Sequence, residues 1–217
     1  MKVIQFGIGG VGSWCAEALI RGGVDNLTIV DFDIVSISNI NRQLIATTKT
    51  IGMAKVDVMQ QRLHDINPSS CITALKMKYE ADTADNFNFN DYDYVIDAID
   101  SLKDKKMLIL RACESSATLI SSMGAAGKSD PLQIRVAEFW KVKTCPLARA
   151  LRNQFKHDNQ FPAKKFMAVY SEEPSTQKLE NTNPDSGTRL SLKPHIQVTA
   201  TFGMNIAALI LNYHKIS

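Results

Sequence analysis

The chain has 217 residues, 45% hydrophobic and 22% charged, with a net charge of +3, which suits one α/β core and shows no linker or internal repeat that would divide it. Its four cysteines, Cys15, Cys71, Cys113 and Cys145, form no Cys-x-x-Cys pair, so neither a zinc knuckle nor a disulfide framework is indicated and a reducing cytoplasm is the expected setting. No signal-peptide pattern opens the chain, and the apolar stretch Ile196 to Tyr213, broken by Gln197, Asn205 and Asn212, falls short of a membrane span, so stable membrane insertion is not expected.

An apolar strand, Val3 to Phe6, runs into Gly7-Ile8-Gly9-Gly10-Val11-Gly12 and then into a helix from about Val11 to Arg21. Gly7, Gly9, Gly10 and Gly12 let the backbone close around a pyrophosphate, with the helix offering free N–H groups and a positive dipole end to the anion. A second strand, Leu27 to Val30, ends in Asp31, where a carboxylate can hydrogen-bond ribose hydroxyls. To this point a dinucleotide-dependent dehydrogenase fits equally well. The next elements are a helix from about Met53 to Ile66, strands Ile72 to Leu75 and Tyr94 to Ile96, a helix from about Leu102 to Ser115, and a strand from Thr118 to Ser121. Such alternation predicts a Rossmann-like, mostly parallel α/β sheet flanked by helices. After Ser121 the rhythm changes: Leu132 to Phe139 alternates apolar and polar, as an added antiparallel strand does. Residues 172–194 read as a loop able to act as a lid, and Ile196 to Tyr213 as a helix for the sheet or a second subunit.

What separates this chain from a dehydrogenase is the run from Asp31 through Asp33, Asn39, Arg42 and Gln43, followed by Gly52 and Lys55, and then Asp97-Ala98-Ile99-Asp100-Ser101. This run resembles that of the ubiquitin-activating-type adenylating enzymes, which implies adenylation of a carboxylate: attack on the α-phosphate of ATP with loss of pyrophosphate, so that cations must gather where charge develops. Arg42 and Lys55 are the candidates, one a planar fork and the other a compact charge. Asp100, at the carboxyl end of an apolar strand, can hold a hydrated Mg2+ ion. Asp97 is the weaker acid, as suited to capping a helix as to holding a ligand.

From Lys141 to Lys165 the chain sets seven basic residues, Lys141, Lys143, Arg149, Arg152, Lys156, Lys164 and Lys165, against one acid, Asp158, a net of +6. Such a block beside an adenylation site suggests a polyanionic substrate, with a solvated helix face as the plainer alternative.

In the first half, the glycine loop, Asp31, Asn39-Ile40-Asn41-Arg42-Gln43, Gly52-Met53-Ala54-Lys55 and the Asp97 to Asp100 strand end resemble the ubiquitin-activating-type adenylating superfamily. In the second half, Ile120 to Pro131, Lys143 to Arg152, and Val169-Tyr170-Ser171-Glu172-Glu173 resemble the tRNA threonylcarbamoyladenosine dehydratases. The resemblance covers nearly the whole chain. It implies a single ThiF-type domain, with residues 1–125 as the ATP half and 126–217 as the half for substrate binding and dimerisation. Gly7, Gly9, Gly10, Gly12, Asp31, Asp33, Asn39, Arg42, Gln43, Lys55, Asp100 and Ser101 would bind ATP, with Arg42, Lys55 and Asp100 catalytic. The implied reaction activates the threonyl carboxylate of threonylcarbamoyladenosine beside the tRNA anticodon and closes a ring with loss of AMP. The partners it implies are tRNA rather than DNA, contacted by Lys143, Arg149, Arg152 and Lys156, a second copy in a homodimer, and as a further candidate a protein of the sulfur-carrier or desulfurase system. Mg2+ is the implied metal, with Na+ or K+ as an added monovalent cation.

Two departures qualify the resemblance. Family members usually carry a helical segment before the first strand, whereas here Met1 opens the strand, so either the chain is truncated or that contribution is absent. Some members also have a cysteine shortly before the last helix, but Ser186 to Gln197 contains none. Thioester chemistry is therefore not expected, and Cys113 and Cys145 are poor candidates for a nucleophile. The rival reading is adenylation of the carboxyl terminus of a ubiquitin-like or sulfur-carrier protein. It shares the whole ATP site but lacks here the paired Cys-x-x-Cys motifs and a transfer cysteine. A nucleotide-sensing module is a third class, with little use for Arg42 and Lys55 together.

Overall fold

The computed structural model describes residues 1–174 and 194–214. The elements are β1 (Lys2–Phe6), α1 (Gly12–Arg21), β2 (Asn26–Val30), α2 (Lys55–Ile66), β3 (Cys71–Leu75), β4 (Tyr94–Asp97) and α3 (Leu102–Glu114), then β5 (Thr118–Ser122), β6 (Ile134–Glu138), α4 (Pro146–His157), β7 (Met167–Ser171) and α5 (Ile196–His214). The seven strands form one sheet in the order β3-β2-β1-β4-β5-β7-β6. All pairs are parallel except β6 with β7, where Ile134 lies opposite Ser171 and Glu138 opposite Met167. The order reverses between β1 and β4, whose exits Phe6 and Asp97 are register partners. In an open α/β sheet this switch point is where a ligand crevice forms.

Alternation along the central strands sends side chains into two cores. Val3, Ile29, Ile96, Ile120 and Val169 face α1, α2 and α5, among Leu19, Met59, Phe202 and Ile206. Ile4, Phe6, Val95, Leu119 and Ala168 face the other side, among Leu108, Phe139, Phe155 and Phe166. There Phe6 meets Tyr79 and Phe87 edge to face at 5.0 Å each, pairs worth about 0.5–1.5 kcal/mol beyond their buried area.

The expected antiparallel strand forms, trimmed to Ile134–Glu138. A helix grows from the basic block, and β7, which the sequence pattern did not single out, inserts between β5 and β6. The second helix starts at Lys55, within two residues of the expected start near Met53, because Gly52 turns with φ +87° and Ala54 is extended. The loop expected over 172–194 falls mainly on residues 175–193, outside the described residues.

The apolar character of α5 is explained within the chain. Val198, Phe202, Ile206 and Ile210 are buried, and the helix lies against α1 so closely that a Cβ on Gly203 would stand 2.6 Å from the Val11 carbonyl oxygen and 2.8 Å from the Cys15 amide. Of its large apolar groups, Ile196 and Met204 remain about half exposed. Glu17 ties the neighbouring pair of helices, accepting from Arg62 of α2 and from Arg21. Among the described residues, no helix is long and apolar enough to cross a membrane.

Candidate functional site

At the exits of β1, β2 and β4 lies a cleft of about 610 Å³. Its floor is the glycine loop. Gly7 has φ +92°, and a Cβ there would lie 2.5 Å from the Ala98 carbonyl oxygen, so only glycine lets the loop pass the β4 exit. Gly9 and Gly10 line the cleft as well. Gly12 does not: its Cβ would lie 1.9 Å from the Gly7 carbonyl oxygen, so the absence of a side chain there lets the loop fold back on the start of α1.

Polar side chains hold this loop from below. Gln5, buried in the middle of β1, donates from Nε2 to the carbonyls of Gly12 at 2.8 Å and Gly7 at 3.2 Å. Ser13 Oγ donates to the Gly9 carbonyl at 2.7 Å and accepts from the Leu44 amide at 3.1 Å. Trp14 Nε1 donates to the Arg42 carbonyl at 3.1 Å. The glycine loop and the turn bearing Arg42 and Gln43 are thereby one unit.

The predicted charged residues meet around this unit. Asp31 is buried, with one carboxylate oxygen accepting from the Ile8 amide at 2.6 Å and the other from the Asp33 amide at 2.8 Å. Burial pushes its pKa up, against the opposing pull of Lys55; each oxygen retains a lone pair for a further donor. Lys55 Nζ, nearly buried, pairs with the more exposed Asp33 at 2.6 Å. Arg42 donates from Nη1 to the Ser38 carbonyl and to Asn41 Oδ1, both at 2.9 Å. Burial lowers its pKa, and the charge of Asp100 acts in the opposite sense. Asn39, Gln43, Asp100 and Ser101 line the same cleft. Asn39 Oδ1 also accepts the Ser36 amide at 3.0 Å, fixing the turn, and Ser101 is the cap of α3. Two buried polar atoms of cleft residues, Gln43 Oε1 and the Tyr79 hydroxyl, have no partner among the described residues.

Asp97 sits beneath the cleft, fully buried, and neither caps a helix nor faces a ligand. Its carboxylate receives Lys105 Nζ at 2.9 Å and Ser121 Oγ at 2.6 Å, while Lys105 also donates to the Ile99 carbonyl at 3.0 Å. Burial pushes the Asp97 pKa up and Lys105 opposes it. This bracket fixes the turn that presents Asp100.

Motif reading passed over Phe32, Met77, Lys78, Tyr79, Asp104, Leu147 and Thr199, which complete the cleft walls. Gln5 carried a usable signal, being polar inside an apolar strand. Asp104 carried another, standing three residues after a serine at a helix start. Met77 to Tyr79 follow β3 without a motif of their own.

On the far wall, Ser122 to Ala126 and Leu147, at the start of α4, extend the cleft towards the basic block. Helix α4 buries Ala148, Leu151 and Phe155 and exposes Arg149 and Lys156; Lys143 is exposed before it. The Arg152 guanidinium lies 5.7 Å from the Phe139 ring centroid and donates from Nη1 to the carbonyls of Phe139 at 3.2 Å and Val142 at 3.1 Å, so the half-buried residue also fastens the segment before α4. Glu173 accepts from the amides of Ser129 and Asp130 at 2.8 and 3.0 Å, joining two segments distant in sequence.

The protein-family model described as the ThiF family matches residues 1–208. The tRNA threonylcarbamoyladenosine dehydratase of Haemophilus influenzae is 36% identical over 219 residues, which span 97% of this chain and 84% of that protein. The Bacillus subtilis protein of the same name is 44% identical over 156 residues, 72% of this chain but only 61% of its own length. The structure of Escherichia coli TcdA in complex with ATP matches with a TM-score of 0.86 at 33% identity, covering 99% of this chain and 86% of that one. With its glycine loop, its arginine turn and its sheet order all inside the matched span, the chain belongs to the ThiF family.

Proposed function

We propose that this protein is an ATP-dependent tRNA threonylcarbamoyladenosine dehydratase. The observation that carries the reading is the convergence of Arg42, Lys55 and Asp100 on one cleft floored by the glycine loop. Gly9, Gly10 and the start of α1 receive the phosphates, and Asp31 accepts from ribose hydroxyls. As the threonyl carboxylate attacks the α-phosphate, Arg42 and Lys55 stabilise the charge that develops on phosphate oxygens and on departing pyrophosphate. Lys55 is held ready by Asp33. The carbamoyl group then attacks the activated carbonyl, the ring closes, and AMP leaves.

The donor set fits Mg2+ that enters with the nucleotide. Asp100 is an exposed oxygen ligand at the cleft, whereas no group of three or more His, Cys, Asp or Glu among the described residues could hold a metal alone. Magnesium usually takes one or two carboxylates together with substrate phosphates and water, and when bound it would neutralise phosphate charge.

The exposed charges Lys143, Arg149 and Lys156 form the proposed tRNA face, reached from the cleft through Leu147. A cytoplasmic setting and a homodimer belong to the same proposal. Ile34, Ile37, Ile40, Ile51 and Met53, all exposed, offer a second copy more apolar surface than α5 does. A protein of the sulfur-carrier or desulfurase system is an accessory partner in this scheme. The test is mass analysis of nucleosides from modified tRNA incubated with ATP. The expected product has lost one water, with one AMP formed per ring; modified nucleoside left intact beside hydrolysed ATP would contradict the proposal.

A further inference from the structure

Asp104 occupies the third position of α3, after its cap Ser101. An acid there ordinarily turns back to the cap's N–H or rests in solvent against the helix dipole. Here the residue is 7% exposed, and its backbone N–H donates to Ser101 Oγ at 3.4 Å. Its carboxylate has no donor and no paired cation within the described residues, yet it lines the cleft.

The surroundings locate this carboxylate. Lys78 and Tyr79 line the same part of the cleft. Lys78 is already paired with Glu80 and lies 6.0 Å from the centroid of Phe32. Phe32, Met77 and Tyr79 make this wall apolar, in contrast to the charged region of Arg42, Lys55 and Asp100. A flat apolar group with a hydrogen-bond donor on its edge matches such a wall, because the Asp104 carboxylate lines the cleft with acceptor sites that no donor among the described residues fills.

We propose that Asp104 reads the nucleobase, its carboxylate accepting from the exocyclic amine of adenine, and so sets a preference for ATP over GTP. The inference rests on the ATP-dependent reading of the cleft. Adenine carries an amine donor at position 6, where guanine carries a carbonyl acceptor. A carboxylate facing that position gains a hydrogen bond from the first and meets lone pairs on the second. Asp104 is thus a specificity residue, with no part in the displacement at phosphorus.

The experiment is equilibrium binding of ATP, GTP and inosine triphosphate, with Mg2+, to the parent protein, Asp104→Ala and Asp104→Asn, alongside thermal melting. Inosine triphosphate isolates position 6, since it has the carbonyl without guanine's amine. The parent should prefer ATP over both competitors by roughly ten- to hundredfold, the range of a hydrogen bond to a charged group. Asp104→Ala should reduce the ATP preference over inosine triphosphate at least about fivefold, through weaker ATP binding. Asp104→Asn, whose amide also donates, should shift the ratio further towards inosine triphosphate. A parent that binds ATP without this preference, or variants that change melting temperature but not the ratio, would overturn the inference and leave Asp104 as a helix-end acid. A parent that binds none of the three would overturn the ATP-dependent reading as well.

Discussion

Asp97 and Asp100 stand three residues apart on one strand exit, and their environments give them different work. Asp97 is sealed under the cleft against Lys105 and Ser121, whereas Asp100 is exposed on its wall with Arg42 in electrostatic reach. Asp100→Asn should therefore keep the melting temperature close to that of the parent while lowering adenylation at least about a hundredfold, the scale of a lost electrostatic stabiliser. Arg42→Ala and Lys55→Ala should lose activity on the same scale, and the double variant should fall short of the product of the two losses, because both groups act on the same phosphates. Lys105→Met should do the reverse of Asp100→Asn, costing about 3–5 kcal/mol of stability by leaving Asp97 without its counter-charge. Melting curves and initial rates on the same preparations check this contrast. Near-parental turnover in Asp100→Asn would remove its assignment.

At the scale of elements, α4 shows what charge counting can and cannot read. The block from Lys141 to Lys165 was legible as basic, but the sequence does not tell which charges reach solvent. Helical periodicity turns Arg149 and Lys156 outward, while Arg152 spends its guanidinium on the Phe139 ring and two carbonyls. Lys164 likewise donates to the carbonyls of Ser115 and Ala117. If α4 grips tRNA, Arg149→Ala with Lys156→Ala should flatten the dependence of log affinity on log salt by roughly two units and leave ATP affinity unchanged. Arg152→Ala should leave that slope nearly intact and instead lower the melting temperature. Filter binding across a salt series distinguishes the two; equal slopes for the parent and the double variant would exclude Arg149 and Lys156 from the tRNA face.

The same scale explains which elements were readable. Strands β1, β2, β4 and β5 and helices α1 and α3 could be placed because glycines, Asp31 and Ser101 punctuate them. Strand β7, only Met167–Ser171 and covered on both faces, has no alternation to reveal it. Gly12 could not be separated from Gly7 by pattern, because close approach to a ligand and close approach to backbone demand the same residue. Asp97 posed a similar difficulty, since a buried lysine eight residues on decides its role and spacing alone does not bring the two together.

For the whole molecule, one sheet carries both halves of the cleft. Strand β7 pairs with β5, so the wall running from Ser122 to Leu147 is continuous with the glycine loop across β4. In the proposed reaction, a carboxylate bound on the α4 side would meet a phosphate bound on the α1 side across this one wall. This leaves the nature of the carboxylate as the point on which the account stands. The most direct measurement is isotope exchange between pyrophosphate and ATP, supplied in turn with threonylcarbamoyladenosine-modified tRNA, with unmodified tRNA, and with a sulfur-carrier protein ending in a free carboxylate. The account predicts exchange with modified tRNA alone, abolished in Asp100→Asn. Exchange with the carrier protein, and none with modified tRNA, would contradict it.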